Sequence, residues 1–160
     1  MKWQVVYLRP RLEKKTAEIC RRNGIAHYLP LRSQTRTVQR RKVTTEIPVF
    51  SGYLFVALDA PHKLILQKSN HVLRFLEPGR PYRMLRQLVQ VRRALRIDPA
   101  LRPVSLLEAG TRVRLVSGPF QGVEGVVARL AASMRVILTV EMLGQGLVVH
   151  ASREQVEPLG

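Results

Sequence analysis

Cysteine, acidic side chains and long apolar runs are scarce in this sequence of 160 residues. The single cysteine, Cys20, cannot form an intramolecular disulfide, and no histidine has a cysteine or carboxylate at metal-ligand or catalytic-triad spacing. No stretch approaches the roughly 20 apolar residues that a membrane helix needs, and the N-terminus lacks the apolar region of a signal peptide. A glycine-rich phosphate-binding loop is also missing. We therefore expect a cytoplasmic monomer with no metal, cofactor or enzymatic activity.

The shortage of acidic residues is confined to one part of the chain. Residues 1–97 contain 21 Lys and Arg against 5 Asp and Glu, whereas residues 98–160 contain six of each. This asymmetry predicts two modules with different partners, the basic one facing nucleic acid. The alternative is that the basic residues only improve solubility or reflect the base composition of the genome.

The longest apolar run, residues 49–58, organises the first module. Residues 53–58 have strand character, and both alternating faces are apolar, so the strand is either central or presents one face to a partner. The surrounding pattern predicts a strand at 3–8, a helix starting near Pro10, a basic hairpin within 33–45, a helix capped by Asp59, a strand at 72–76 and a basic helix at 82–96. We expect an α+β sandwich over residues 1–97, with an antiparallel sheet and flanking helices.

A different pattern follows. Pro99 and Pro103 interrupt any regular periodicity, so residues 98–107 are predicted to be a linker. Residues 108–160 contain short β-branched runs separated by glycine turns, the clearest of which spans residues 117–122. This spacing predicts a small antiparallel β-barrel of about 50 residues.

Two motifs resemble those of a known family. The runs WQVVY at residues 3–7 and FSGYLFV at 50–56, with the strand at 72–76, resemble the N-terminal domain of NusG-type transcription elongation factors. Ser51 stands where these proteins usually have proline. The second module is similar to their KOW domain, an SH3-like barrel, through Gly110, Val113, Gly118, Pro119, Phe120, Gly122 and Gly125. The YLFV sequence at residues 53–56 and the basic segment at 33–45 are most similar to those of the specialised RfaH-like paralogues.

The resemblance implies a surface that binds the clamp helices of RNA polymerase. Its expected residues are Tyr7, Phe50, Tyr53 and Phe75. Aromatic side chains suit such a surface because they provide a large contact area at a low entropic cost. The alternative for each of them, and for Phe50 above all, is an ordinary place in the core.

The remaining expectations concern nucleic acid and the second module. Basic residues are expected to contact the phosphates of nontemplate or upstream DNA: Arg9, Arg11, Arg36, Arg40, Arg41 and Lys42. Phe120, at a turn, is the candidate contact for a KOW partner, which would be the ribosome or a termination factor. The sequence thus predicts a transcription elongation or antitermination factor that suppresses pausing or termination. The alternative is a ribosome-associated RNA-binding KOW protein.

Overall fold

The computed structural model describes residues 1–105, 112–128, 134–152 and 155–159. The chain divides into two compact units, Met1–Pro30 with Pro48–Tyr82 and Leu31–Ile47 with Arg83–Gly160. The strands and helices in chain order are β1 (Lys2–Leu8), α1 (Glu13–Arg22), β2 (His27–Tyr28), β3 (Leu31–Val38), β4 (Arg41–Pro48), β5 (Tyr53–Leu58), α2 (Ala60–Lys68), β6 (Val72–Leu76), α3 (Pro81–Ile97), β7 (Pro103–Ser105), β8 (Arg112–Leu115), β9 (Glu124–Ala128), β10 (Met134–Val140), a 3-10 turn (Glu141–Leu143), β11 (Gln145–Ala151) and β12 (Val156–Pro158).

The first unit contains a four-stranded antiparallel sheet in the order β2-β5-β1-β6. Strand β1 pairs with β5 so that Val5 faces Phe55 and Val6 faces Leu54. Directly opposed residues share one face of a sheet, so Val5 and Phe55 lie on one face and Val6 and Leu54 on the other. All four are buried, which confirms the two apolar faces predicted for β5. The face that carries Val6 and Leu54 belongs to a buried core, whose other buried members are Leu8, Cys20, Ile25, Val56, Leu58 and Leu66.

The helices of this unit begin and end where local chemistry directs them. The Asp59 carboxylate accepts a hydrogen bond from the His62 backbone N–H at 2.9 Å and caps α2, as the sequence predicted. Helix α1 ends at Arg22 with Asn23 as its C-cap, and Gly24 follows in the left-handed region with φ of 66°. The expected start near Pro10 is wrong, because the chain turns at Pro10 and Arg11 and the helix begins at Glu13.

Strands β3 and β4 form the predicted basic hairpin. Its two-residue loop, Gln39 and Arg40, has positive φ at both positions, 49° and 65°, which is the signature of a type I′ turn. A loop of this length places Thr35 opposite Thr44. Their hydroxyl oxygens lie 3.0 Å apart, in agreement with that register.

Helix α3 from Arg83 onward and the C-terminal strands lie in the second unit. The described strands form one six-stranded sheet in the order β12-β8-β9-β10-β11-β7. The strand pairings are antiparallel, and no pairing between β12 and β7 closes the sheet into a barrel within the described residues. Antiparallel strands are thus confirmed, whereas the closed barrel predicted over 108–160 is not.

Part of the predicted linker has regular structure. Strand β7 pairs with β11, and Pro103 lies opposite Leu147. Proline is tolerated there because β7 is an edge strand, where a missing N–H leaves no partner unpaired. The domain boundaries 1–97 and 108–160 stay a prediction. Residues 106 and 107 of the linker and Gly110 of the barrel motif lie outside the described residues.

Cys20 provides a test of this packing. Its side chain is buried in the core, and burial raises the pKa of its thiol to about 11. We expect Cys20 of the native protein to resist alkylation by iodoacetamide at pH 8, because the thiol is both protonated and inaccessible. In denaturant it should react at the rate of a free cysteine, followed by mass spectrometry. Rapid reaction of the native protein would show that α1 does not pack on the sheet.

Candidate functional site

Tyr7 and Tyr53 form a pair of aromatic rings on one face of the four-stranded sheet. They are directly opposed in the β1–β5 register, and their ring centroids lie 5.2 Å apart at an interplanar angle of 40°. Tyr7 is 37% exposed and Tyr53 is half-buried, whereas Val5 and Phe55 on the same face are buried. The pair therefore presents amphipathic side chains at a surface, which suits partner recognition.

The turn before β5 lies against Tyr7. Gly52 has φ of 86°, and a Cβ atom there would stand 3.0 Å from Cε1 of Tyr7 and 3.9 Å from the Leu8 carbonyl oxygen. Glycine therefore allows both the left-handed backbone and the close approach of the ring. The β1–β6 pairing also shifts register between Tyr7 and Leu8, an irregularity of the kind that redirects a side chain.

Three hydrogen bonds fix this turn. The Gly52 carbonyl accepts from the Leu8 N–H at 2.7 Å, and the Phe50 carbonyl accepts from the Tyr53 N–H at 3.2 Å. The Gly52 N–H donates to Oε2 of Glu13 at 3.0 Å. These bonds hold the turn in place although Ser51 lacks the fixed φ that proline provides.

Glu13 is the residue that sequence analysis missed. Its side chain is only 7% exposed, and it connects the first turn of α1 to a turn 39 residues further along the chain. A carboxylate at a helix N-terminus is also favoured by the helix dipole. Its position in the first helical turn was the only available signal, and the sequence does not reveal its distant partner.

Phe50 and Phe75 do not join the tyrosine pair. Phe50 is 1% exposed and belongs to the core, which is the alternative considered for it. Phe75 lies opposite Val6, hence on the other face of the sheet, where it packs against the core and the Lys63 amine lies 4.9 Å from its ring centroid. The register between β1 and β6, which sequence alone does not give, separates Phe75 from Tyr7.

The two faces of the basic hairpin differ in chemistry. The register that pairs Thr35 with Thr44 places Arg36, Val38, Arg41 and Val43 on one face. Lys42 lies on the other face, and Arg40 lies in the turn. The side chains of residues 35–46, at the end of the hairpin, are all exposed, and the exposed fractions of Val38 and Val43 are 51% and 43%.

The other predicted site residues lie elsewhere. Arg9 and Arg11 belong to the first unit, whereas the hairpin belongs to the second. Arg9 donates through Nε to the Asn70 carbonyl at 2.9 Å, and Arg11 is exposed in the turn before α1. Phe120 is half-buried in the turn between β8 and β9, where its carbonyl accepts from the Val123 N–H at 3.0 Å.

Within 1–105, 112–128, 134–152 and 155–159, no three His, Cys, Asp or Glu side chains come together in a group that could hold a metal ion. No helix in this part of the chain is long and apolar enough to cross a membrane.

Comparison with known proteins defines the class. The described residues have a mixed α/β fold with antiparallel sheets and three α-helices. The family model described as "Transcription termination factor nusG" matches residues 1–93. The chain belongs to the NusG family, whose members are transcription elongation factors rather than enzymes.

Solved structures give a fold-level likeness. The structure titled "Domain interaction in Thermotoga maritima NusG" is 21% identical, with a TM-score of 0.53, and the match covers 99% of this chain and 97% of that one. A second structure, titled "Crystal Structure of MjSpt4:Spt5 complex conformation B", is 14% identical with a TM-score of 0.32, and covers 99% and 97% of the two chains. No curated protein matches the chain.

The role of Glu13 in holding the turn can be tested by substitution. We expect Glu13→Ala to lower the free energy of unfolding by about 1–3 kcal/mol, because it leaves a backbone N–H without its partner. It should also shift the NMR resonances of Tyr7 and Tyr53. Glu13→Gln keeps an acceptor oxygen and should retain most of the stability.

Glu18→Ala is the matched control, since Glu18 lies on the same helix but pairs only with exposed Arg21 and Arg22. It should leave the tyrosine resonances unchanged. If Glu13→Ala also leaves them unchanged, the turn does not depend on this carboxylate.

Proposed function

We propose that this protein is a transcription elongation or antitermination factor that binds the clamp helices of RNA polymerase through Tyr7 and Tyr53. The observation that carries the proposal is the partly exposed tyrosine pair beside the Gly52 turn. Two rings on paired strands already have a fixed relative position, so little conformational entropy is lost on binding. Their hydroxyls leave the polar edge of the contact hydrated while the rings bury apolar area.

The hairpin supplies contact with nucleic acid in this proposal. Its exposed arginines and lysine have no ion pair with any described residue, so their charges are available to phosphates of nontemplate or upstream DNA. Val38 and Val43 between the arginines favour a contact that also covers apolar surface. Arg9 and Arg11 are a second candidate set on the first unit.

Binding alone is sufficient for such a factor. A protein that binds the transcribing state of polymerase better than its paused state shifts the population toward transcription and requires no reaction of its own. The magnitude of the shift is set by the difference between the two affinities. Suppression of pausing or termination would follow from that difference.

The C-terminal strands are assigned to a KOW-type module that binds the ribosome or a termination factor. The likeness in fold to Thermotoga maritima NusG over nearly the whole chain supports the assignment. Phe120 is its proposed contact, because it lies in a turn held by Gly118 and Gly122, both with positive φ. The alternative, a ribosome-associated RNA-binding KOW protein, predicts co-purification with ribosomal RNA and without polymerase.

The tyrosine pair has a direct binding test. We expect Tyr7→Ala with Tyr53→Ala to weaken binding to an RNA polymerase elongation complex by roughly 30-fold or more, the effect of losing about 2 kcal/mol at a hot spot. Affinity is measured by biolayer interferometry with the full chain. Circular dichroism and thermal unfolding check that the double variant remains folded.

Tyr82→Ala is the matched control, because Tyr82 is 83% exposed and belongs to neither proposed surface. It should bind as the unsubstituted protein does. Phe50→Ala should instead act through stability, with a loss of about 3–5 kcal/mol. Unchanged affinity of the folded double tyrosine variant would contradict the proposed polymerase site.

The hairpin has a test based on salt. We expect Arg40→Gln, Arg41→Gln and Lys42→Gln together to make the negative slope of log affinity against log salt shallower. Its magnitude should fall by about 0.7–0.9 for each phosphate contact that is lost. Fluorescence anisotropy with labelled single-stranded and duplex DNA measures the slope. The fold should be unaffected because these side chains are exposed.

A control variant with Lys2→Gln, Lys15→Gln and Lys68→Gln removes the same charge from exposed positions outside the hairpin. It should reduce the magnitude of the slope by less than the loss of one phosphate contact would, about 0.7–0.9. Arg36→Gln with Arg41→Gln should have a larger effect than Lys42→Gln if the face with the valines meets DNA. Equal slopes for the hairpin and control variants would place the contact away from the hairpin.

A further inference from the structure

The side chains of helix α3 fall into three groups. One group is buried and contains Met84, Leu88, Val91, Ala94 and Leu95. A second group contacts the turns of the C-terminal sheet. A third, exposed group contains Arg86, Val89, Arg92 and Arg96. At 3.6 residues per turn, its three arginines fall within about 120° of the helix circumference, an arc that also includes Arg93 of the second group.

The second group contains the other two arginines of the helix, Arg83 and Arg93. Arg83 forms an ion pair with Glu141, and Arg93 donates to the Gly122 carbonyl at 3.2 Å. Between them, the side chains of Gln87 and Gln90 accept from the backbone N–H groups of Glu141 and Glu124, respectively, at 3.1 and 3.0 Å. These residues stabilise the internal structure of the unit, so their contacts, and not a separate face of the helix, distinguish them from the third group.

Arg86, Arg92 and Arg96 have no ion pair or hydrogen bond with any other described side chain, and α3 itself contains no acidic residue. Helix α1 of the same protein is different. There, Glu18 pairs with Arg21 and Arg22, and the Arg21 hydrogen bond is the main cause that lowers the pKa of Glu18 to about 2. An exposed helix face that only solubilises normally mixes both signs in this way. The single-sign face of α3 is unlike it.

The spacing on α3 matches a polyanion. A rise of 1.5 Å per residue separates Arg86 from Arg96 by about 15 Å along the axis. Phosphates follow each strand of B-DNA every 3.4 Å of axis, so this length corresponds to roughly four of them. Arginine also suits phosphate because its planar fork can form two hydrogen bonds at once.

The segment that follows α3 is hydrogen-bonded to the first strand of the hairpin. Just past the end of α3, the Pro99 carbonyl accepts a hydrogen bond from the Ser33 N–H of β3 at 2.7 Å. Asp98, the first residue after α3, accepts a hydrogen bond from the Ala100 N–H at 2.9 Å and forms no ion pair with a described residue. The hairpin and α3, both rich in arginine, are therefore connected through Ser33 and Pro99.

We propose that the outer face of α3, formed by Arg86, Arg92 and Arg96, is a second binding site for the phosphate backbone of nucleic acid, beside the hairpin. The proposal rests on the proposed contact between this protein and nucleic acid and adds a surface to it. Val89, exposed among the arginines, allows the site to cover apolar parts of the sugar backbone as well. The site reads charge and spacing, so it is independent of base sequence.

The test compares four forms of the full chain: unsubstituted protein, Arg86→Gln with Arg92→Gln and Arg96→Gln, the hairpin triple variant, and the control with Lys2→Gln, Lys15→Gln and Lys68→Gln. Glutamine preserves the helix propensity of arginine. Anisotropy titrations use a labelled 20-nucleotide single strand and a 20-base-pair duplex at about 50 to 200 mM salt. Circular dichroism establishes that each variant is folded.

We expect the α3 variant to lose about three contacts, which lowers the log–log slope by about 2 on a single strand. The loss of affinity across that salt range should then be roughly 20-fold smaller than for unsubstituted protein. The control variant should retain its slope. A larger effect on the single strand or on the duplex identifies which form of nucleic acid the face binds, and either supports the site.

Two outcomes overturn the inference and separate it from the proposed function. If the hairpin variant loses the salt dependence while the α3 variant matches the control, the protein contacts nucleic acid but α3 does not. If the α3 variant binds both DNA forms normally and instead loses affinity for polymerase, the face belongs to a protein contact. If the affinity of the unsubstituted protein for DNA does not depend on salt, both the proposed nucleic-acid contact and the α3 site are contradicted.

Discussion

The hydrogen bond from the Gly52 N–H to Glu13 is the interaction on which the first unit's exposed surface depends. It joins the start of α1 to the turn that precedes β5, and the β1–β5 register then places Tyr53 opposite Tyr7. A buried carboxylate is costly unless it is hydrogen-bonded, and a turn N–H is equally costly if unpaired. Each group therefore requires the other, which makes the position of the turn well determined.

That constraint explains why the turn tolerates serine. Proline would restrict the backbone before Gly52 by its own ring, whereas here the restriction comes from hydrogen bonds to Glu13 and Leu8. The glycine is different, because any side chain at position 52 would meet the ring of Tyr7 as well as a left-handed backbone. Of the motif's two small residues, the structure gives only the glycine a steric reason.

Local patterns predicted most of the first unit. Alternation assigned the two faces of β5 correctly, and the Asp59 cap identified the start of α2, because each depends on residues close in the chain. The family resemblance grouped Phe75 with Tyr7, and the sequence could not correct this because alternation within a strand does not give its register against another strand. Glu13 was missed for the same reason, since its partner is 39 residues away. Short-range chemistry was readable, and long-range pairing was not.

The hairpin turn shows where local preference and presentation of charge conflict. A type I′ turn favours Asn-Gly because both central residues have positive φ, yet this chain has Gln39 and Arg40 there. A left-handed conformation costs a residue with a side chain about 1–2 kcal/mol. Asparagine and glycine would be cheaper but would leave the turn without a cation. Strain of this kind concentrates at functional positions, so Arg40 is better explained by what the exposed tip contacts than by the stability of the hairpin.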